Sequence, residues 1–154
     1  MKTPDESLPL GGALGFLRWM WRLNHAMEAL SLRMERDLSI TAQQRLLIRC
    51  VGKFPGITPG RLAELLCVDP GTVSATTRRL LAKGLLRRES ASGDRRRVAL
   101  GLTPKGRQLD RPSPGTAECA VDKLLAGTSE RDIETTVNVL KRLGVKCVIF
   151  SGGE

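Results

Sequence analysis

A capping residue followed directly by proline marks a helix start at three places in this 154-residue chain. The pairs are Thr58-Pro59, Asp69-Pro70 and Thr103-Pro104. The capping side chain accepts a hydrogen bond from a backbone N–H that has no partner within the helix. Proline suits the first helical position because the N–H that it lacks would be unpaired there. Each pair therefore predicts where a helix begins, and the spacing of the first two pairs constrains the fold most.

The first two pairs begin helices that follow each other closely along the chain. The apolar spacing predicts one helix from Thr58 to about Leu66 and a second from Asp69 to Lys83, with Gly84 as the residue that ends it. Only Cys67 and Val68 separate the first helix from the cap of the second. A turn of this length predicts a helix-turn-helix motif.

A pair of short strands is predicted directly after Gly84. The segments LLRRES (85–90) and RRVALGL (96–102) suit strands, and the turn formers ASGD (91–94) lie between them. A helix-turn-helix followed by such a hairpin is the winged-helix arrangement, in which the second helix is narrow enough to enter the major groove of DNA. The predicted fold class is mainly α with a small β-hairpin wing.

The basic residues are concentrated in this predicted lobe. Residues 69–111 carry 11 basic and 4 acidic side chains, a net charge of +7, whereas the remaining 111 residues carry 14 and 12. Because the excess is local, it indicates a docking surface for a polyanion. Aromatic residues make up only 3% of the chain, which disfavours stacking of single-stranded bases and leaves duplex DNA as the expected partner.

The predicted second helix carries candidate base contacts on its outward face. Its N-terminal half has small side chains, which allow close approach to base edges, and two arginines follow one turn later. The candidates are Thr72, Ser74, Ala75, Thr76, Arg78 and Arg79, while Val73, Thr77, Leu80 and Leu81 are expected to face inward. An ordinary solvated helix face is the alternative.

The tip of the hairpin carries three consecutive arginines, Arg95, Arg96 and Arg97. An arginine at this position can enter a narrow minor groove, where the electrostatic potential is most negative. Strand alternation predicts that Arg96 points opposite to its two neighbours. We expect Asp94 to bond a nearby arginine or the turn backbone and to hold the tip in shape. A solvated arginine run is the alternative.

Two helices are predicted before this lobe. The first extends from about Leu10 to Asp37 and has two apolar rows. One row consists of Phe16, Met20, Leu23, Met27, Leu30 and Met34, and the row beside it consists of Leu10, Leu14, Leu17 and Trp21. One row is expected to face its own lobe and the other a partner subunit, with a central helix of a monomer as the alternative. The second extends from Thr41 to about Lys53, and its start carries a capping box of Thr41 and Gln44.

The helix that begins at Thr103-Pro104 is expected to break at RPSPGT (111–116), because proline inside a helix removes a hydrogen bond and clashes with the preceding turn. A helix is predicted to resume from Thr116 to Ala126, and a last one runs from Ser129 to about Leu143, with Ser129 and Asp132 at its start. The tail KCVIFSGGE (146–154) is left open between an extended segment and a frayed end.

The chain offers little for catalysis, metal binding or membrane insertion. Its single histidine is His25, and its cysteines at 50, 67, 119 and 147 lack the paired spacing of a zinc site. We expect no enzymatic activity, metal or cofactor, and four reduced, mostly buried thiols; a redox-sensing thiol is the alternative. No apolar stretch approaches the ~18 residues that span a membrane, and the N-terminus lacks a signal-type run, so a cytoplasmic protein is expected.

From Ile40 through Gly106 the sequence resembles the MarR family, the multiple-antibiotic-resistance-type transcriptional regulators. The resemblance includes TPGRLAELL (58–66), DPGTVSATTRRLLAKGLLRR (69–88) and a wing pattern of Asp94, Arg96, Leu102-Thr103 and Gly106. It implies a homodimer with interlocking N- and C-terminal helices and two winged helix-turn-helix lobes. It also implies residue roles: base contacts for Thr72, Ser74, Ala75 and Arg78, the minor groove for Arg96, and phosphate for Thr58.

The resemblance further implies a division of the chain. Residues 1–37 would form an N-terminal dimerisation helix, residues 38–106 the winged helix-turn-helix DNA-binding region, and residues 107–154 C-terminal dimerisation helices and a tail, all in one intertwined domain. The break at RPSPGT departs from the family pattern, in which this helix usually continues toward the dimer interface. The first helix also lacks the reactive cysteine of the peroxide-sensing branch, so that mechanism does not transfer.

The expected function is a dimeric, sequence-specific regulator that binds a near-palindromic operator in double-stranded DNA. It is expected to be a repressor that a small-molecule effector releases, and Trp19, Arg22 and His25 are candidate effector contacts. The alternative is a winged-helix protein-interaction module that has lost specific DNA binding.

Overall fold

A computed structural model describes residues 10–91 and 94–151, and the side chains of all of these except residues 90–97 and 145–151. Its elements are α1 Gly11–Leu38, α2 Ala42–Lys53, α3 Pro59–Leu66, α4 Pro70–Ala82, β1 Leu86–Ala91, β2 Asp94–Leu102, α5 Pro104–Leu109, α6 Ala117–Leu125 and α7 Glu130–Ser151. The predicted fold class, mainly α with a two-stranded hairpin, is confirmed. The chain forms two compact units, one ending at Ala117 and the other beginning at Glu118.

The helix starts lie where the capping residues predict them. Thr41 and Gln44 form the expected capping box: Thr41 Oγ1 accepts from Gln44 N at 3.2 Å, and Gln44 Oε1 accepts from Thr41 N at 3.4 Å. At each cap-proline pair a backbone N–H of the first turn donates to the capping side chain: Arg61 N to Thr58 Oγ1, Thr72 N to Asp69 Oδ2 and Gly106 N to Thr103 Oγ1. Local chemistry therefore sets the start of α2, α3, α4 and α5.

The core of the first unit lies between α2, α3, α4 and the hairpin. Its buried members include Ile40, Leu47, Ile48, Val51, Leu62, Val73, Leu80, Leu85 and Leu100. The loop before α3 pairs with β2, because Gly56 N donates to Leu100 O at 3.2 Å and Leu100 N donates to Ile57 O at 2.9 Å. The hairpin is thus attached to the helix-turn-helix and stands beside α4.

The hairpin is antiparallel, and its register pairs Leu86 with Leu102 and Ser90 with Val98. The register shifts between Ser90 and Ala91, near the end that carries the arginine run. The backbone of residues 94–97 belongs to β2, whereas their side chains lie outside the described part of the structure. The expected orientations of Asp94, Arg95, Arg96 and Arg97 therefore stay predictions.

The C-terminal part of the chain breaks where the prolines predict. Helix α5 ends at Leu109 and α6 begins at Ala117, and Gly115 between them has a φ of +77°. Ser129 Oγ accepts from Asp132 N at 3.2 Å and caps the start of α7. Helix α7 continues to Ser151, so the tail that the sequence left open is helical as far as that residue.

Helix α1 exposes members of both apolar rows when the chain is considered alone. Leu17 and Trp21 of one row are 57% and 79% exposed, and Leu23 of the other row is 55% exposed, whereas Met34 near the end of the helix is buried. Apolar side chains exposed in such number on one helix require a covering surface.

The prediction of mostly buried thiols is wrong for Cys67, which is exposed. Cys67 ends α3 in a left-handed conformation with a φ of 51°, and its N–H donates to the carbonyls of Ala63 and Glu64. At this position, directly after the last residue of α3, the side chain lies at the surface. Cys50 and Cys119 are partly buried, and the side chain of Cys147 lies outside the description.

Within the described ranges, no helix is both long and apolar enough to cross a membrane. Over the same residues, His, Cys, Asp and Glu side chains form no group of three or more that could hold a metal ion.

Candidate nucleic-acid interface

Helix α4 presents the predicted outward face. Val73, Thr77 and Leu80 are buried against the core, as the sequence predicts. Thr72, Ser74, Arg78 and Arg79 are exposed, and Ala75 is partly buried. The exposed face thus offers hydroxyl groups near the helix start and guanidinium groups one turn further on, which can donate to base edges and phosphates.

The outward orientation predicted for Thr76 is wrong. Only 8% of this residue is exposed, and it lines a small apolar cavity of about 100 Å³ together with Leu46, Leu66 and Val68. Three residues along a helix correspond to a turn of about 300°, so Thr76 lies within about 60° of Val73 and shares its buried side. Thr76 is therefore a packing residue between α4 and α2.

The start of α4 is fixed by Asp69, whose Oδ2 accepts from Thr72 N at 3.1 Å, with Pro70 at the first helical position. The start of α3 is fixed in the same way by Thr58, whose Oγ1 accepts from Arg61 N at 3.3 Å. A hydroxyl that accepts one hydrogen bond still has its own hydrogen to donate. Thr58 can therefore cap its helix and bind a phosphate oxygen at the same time.

A concave surface that encloses a volume of about 260 Å³ lies between α4 and the hairpin. Ser74, Thr77 and Arg78 line it from the helix, and Arg88 and Val98 line it from the strands. Within the described part of the chain, Arg78 and Arg88 form no hydrogen bond or ion pair, so both guanidinium groups can bind an external anion. Sequence reasoning counted Arg88 as wing charge but missed it as a site residue, because only the strand register places it opposite α4.

Some basic residues of 69–111 bond other parts of the protein, and the others are available to an external partner. Eight of its basic side chains are described, and four of them bond other parts of the protein. Lys83 donates to Ser39 O at 2.7 Å and to Gln44 Oε1 at 3.1 Å, and Arg87 pairs with Glu89 at 2.7 Å. Lys105 and Arg107 donate to the carbonyls of Lys83 and Leu102. The net charge alone therefore overstates how many cations an external partner can meet.

The candidate effector residues lie on α1. Trp19 is 52% exposed, and the guanidinium carbon of Arg22 lies 5.3 Å from the centre of the Trp19 ring, within the range of a cation–π contact. His25 is exposed one turn further along. The structure thus brings Trp19 and Arg22 into contact and leaves His25 at the surface.

A helix-turn-helix with cationic side chains on its second helix, attached to an antiparallel hairpin, defines a winged helix-turn-helix protein. The sequence profile of the MarR family matches residues 40–98. The multiple antibiotic resistance protein MarR of Salmonella typhimurium is 36% identical over 105 residues, which cover 66% of this chain and 67% of that protein. The chain belongs to the MarR family of transcriptional regulators.

Solved structures agree with this assignment. The structure of Streptococcus pneumoniae FabT in complex with DNA matches with a TM-score of 0.66 at 26% identity, covering 90% of this chain and 99% of that one. Apo MarR from E. coli matches with a TM-score of 0.58 at 25% identity, covering 88% of this chain and 97% of that one. The likeness therefore extends well beyond the winged-helix lobe.

Proposed function

We propose that this protein is a homodimeric transcriptional regulator that binds a near-palindromic operator through α4 and the wing. The observation that carries the proposal is the pair Arg78 and Arg88, which face the same concave surface from α4 and β1 without bonding other described residues. The likeness to FabT, solved in complex with DNA, supports duplex DNA as the partner. The basic surface and the low aromatic content favour groove binding.

Each candidate residue then receives a role. Thr72, Ser74, Ala75 and Arg78 contact base edges in the major groove, and Arg79, Arg88 and Thr58 contact phosphates that fix the register of the protein on the duplex. Arg95, Arg96 and Arg97 reach the minor groove from the wing, and Asp94 holds the tip in shape. Compared with the sequence-based set, this one adds Arg88 and omits Thr76, which is buried.

A second copy of the chain covers the exposed rows of α1. We propose residues 1–37 and 107–154 as the dimerisation parts and residues 38–106 as the DNA-binding region. A two-fold dimer presents two copies of α4 to half-sites about one helical turn apart, which explains why a near-palindrome is expected.

The proposed mode of action is repression in the cytoplasm that a small-molecule effector relieves; the protein is not an enzyme. Trp19 and Arg22 offer an aromatic ring beside a cation, a combination that suits an aromatic anion, and His25 lies close by on the same helix. Binding there releases DNA only if the effector prefers the dimer conformation with the lower DNA affinity.

The test is a comparison of DNA binding and gene repression by the wild type and a double variant, Arg78→Ala with Arg96→Ala. We expect the variant to lose specific binding, since truncation of one good base contact costs about 1–3 kcal/mol. A matched control is Arg61→Ala, which removes an exposed cation that already pairs with Glu64 at 2.6 Å.

If the double variant binds and represses like the wild type, α4 and the wing do not read DNA. That result would favour the alternative, a winged-helix interaction module without specific DNA binding.

A further inference from the structure

Two arginines of α2 bond the backbone at the end of α5. Arg45 is 1% exposed, and its guanidinium group donates to Leu109 O at 2.7 Å and to Arg111 O at 2.8 Å. Arg49, one turn further along α2, donates to Asp110 O and also pairs with the Asp110 carboxylate at 3.0 Å. Three consecutive carbonyl groups are therefore held by one helix that belongs to the DNA-binding lobe.

Gly52 lies on the same side of α2 as Arg45 and Arg49. A Cβ atom at this position would overlap the carboxylate of Asp110, whose Cγ lies 2.6 Å from the ideal Cβ position. Arg45, Arg49 and Gly52 are spaced four and three residues apart, so they lie on one side of the helix. We refer to these three residues and the backbone of 109–111 as the α2–α5 brace.

The brace lies immediately before the segment that interrupts the C-terminal helices. Beyond it, Ser113 Oγ donates to Arg111 O at 3.1 Å, and the buried Thr116 donates through Oγ1 to Ser113 O at 2.7 Å. Between Leu109 and Thr116, side chains thus bond the backbone carbonyls of residues 109, 110, 111 and 113. A segment that contains Pro112, Pro114 and Gly115 has no helical hydrogen bonds to direct it, so these side-chain bonds set its path.

We propose that the α2–α5 brace fixes the direction in which the chain leaves the DNA-binding lobe and thereby sets the half-site spacing that the dimer selects. Arg45 and Arg49 are positioning residues in this account: they touch no DNA and act through residues 109–111. The inference rests on the proposed function, because half-site spacing has meaning only for a dimer that binds two half-sites. It gives a role to one buried and one partly buried cation, Arg45 and Arg49, that the DNA-contacting surface does not use.

Half-sites on B-DNA lie about 34–36 Å apart, and one added base pair changes both their distance and their rotation about the duplex axis. A small change in the exit direction of the chain therefore displaces each lobe on the duplex by more than its base contacts tolerate. With the brace intact we expect a single preferred half-site spacing. Without it, the dimer should bind duplexes of several spacings with almost equal affinity.

The first test uses half-sites recovered by selection from random duplexes. Full-length wild type, Arg45→Met and Arg49→Met are titrated with duplexes whose half-sites are moved apart one base pair at a time, and with a duplex that carries one half-site. We expect wild type to prefer one spacing by roughly tenfold, comparable to one mismatched base pair, and the variants to fall below roughly threefold. Their affinity for the single half-site should stay within roughly twofold of wild type.

The matched control is Lys53→Met, which removes an exposed cation from the same helix without touching 109–111 and should keep the wild-type preference. If Arg45→Met does not fold, Arg49→Met and Asp110→Asn change only the partly exposed Arg49–Asp110 pair and carry the test. Unchanged spacing preference in the variants would overturn the proposal. A parallel loss of half-site affinity would also overturn it, because it would show a merely structural role.

A second readout needs no DNA. Cys67 is exposed at the turn before α4 and accepts a spin label once Cys50, Cys119 and Cys147 are replaced by serine. We expect a narrow distance distribution between the two labels of the wild-type dimer and a broader one in Arg45→Met and Arg49→Met. Distance distributions of equal width in wild type and variants would contradict the role of the brace. A wild type that prefers no duplex in the titration would contradict the proposed function alone.

Discussion

At the residue scale, the neighbouring backbone leaves room only for glycine at position 106. A Cβ atom there would collide with the carbonyl oxygen of Leu85 and lie 3.1 Å from its carbonyl carbon. That carbonyl cannot easily move away, because it also accepts from Thr103 N at 3.1 Å. Gly106→Ala should therefore lower the free energy of unfolding by about 1–3 kcal/mol, the usual cost of overpacking, measured by chemical denaturation.

Gly60 provides the control for this substitution. No described atom lies within 4 Å of the ideal Cβ position at Gly60, and the residue is in α3. Gly60→Ala should leave stability unchanged or raise it by up to about 1 kcal/mol, since alanine favours helix more than glycine does. Equal destabilisation by both substitutions would show that Gly106 has no special contact.

The cysteines should differ in reactivity. Burial raises the pKa of the Cys50 thiol, an effect that the positive charge of Lys53 only partly offsets, so less reactive thiolate is present at neutral pH. Cys67 is exposed. In an alkylation experiment followed by mass spectrometry, Cys67 should be modified first. Cys50 should reach a comparable rate only at a higher pH than an exposed thiol requires. Equal rates at pH 7 would contradict the burial of Cys50.

At the scale of elements, Thr103 should be the most costly of the threonine caps to lose. Its Oγ1 accepts from Gly106 N at 3.0 Å and donates to Gly84 O at 2.7 Å, which joins the start of α5 to the end of α4. The Thr58 hydroxyl makes only the capping bond among the described residues. We expect Thr103→Ala to cost about 2 kcal/mol and Thr58→Ala about 1 kcal/mol in thermal or chemical unfolding. The reverse order would contradict this role for Thr103.

Elements that depend on local chemistry could be predicted from the sequence, and those that depend on distant neighbours could not. Caps and prolines placed the starts of α3, α4 and α5 to within one residue. The predicted end of the last helix near Leu143 is too early, because α7 continues to Ser151. The buried side of Thr76 depends on α2, and the brace depends on residues more than 60 positions apart, so neither is visible in local patterns.

At the scale of the whole molecule, the exposed apolar rows of α1 predict an obligate dimer. Leu17→Glu places a charge among apolar side chains that the partner would bury, which should shift the protein toward a monomer at micromolar concentration. Ala26→Glu adds the same charge on the opposite side of α1 and should leave the dimer intact. Sedimentation velocity measures both, and a dimeric Leu17→Glu variant would place the interface elsewhere.

The net charge of +9 on 154 residues indicated a polyanion partner but not how many cations meet it. The sequence located the excess correctly in residues 69–111. The structure was needed to show that Lys83, Arg87, Lys105 and Arg107 bond other parts of the protein. The described cations of this range without such a bond are Arg78, Arg79, Arg88 and Arg111. We propose the first three, together with the arginines of the wing, as the DNA contacts.

Helix α4 and the wing should recognise a specific sequence in duplex DNA. The most direct test is the affinity of full-length wild type for its own upstream DNA and for a random duplex of equal length, measured across salt concentrations. A dimer with about 6–10 phosphate contacts should lose roughly 10³–10⁵ in affinity between 50 and 200 mM salt. At physiological salt it should still bind the upstream DNA at least roughly 10³-fold more tightly than the random duplex. Equal affinity for the two duplexes would contradict the account.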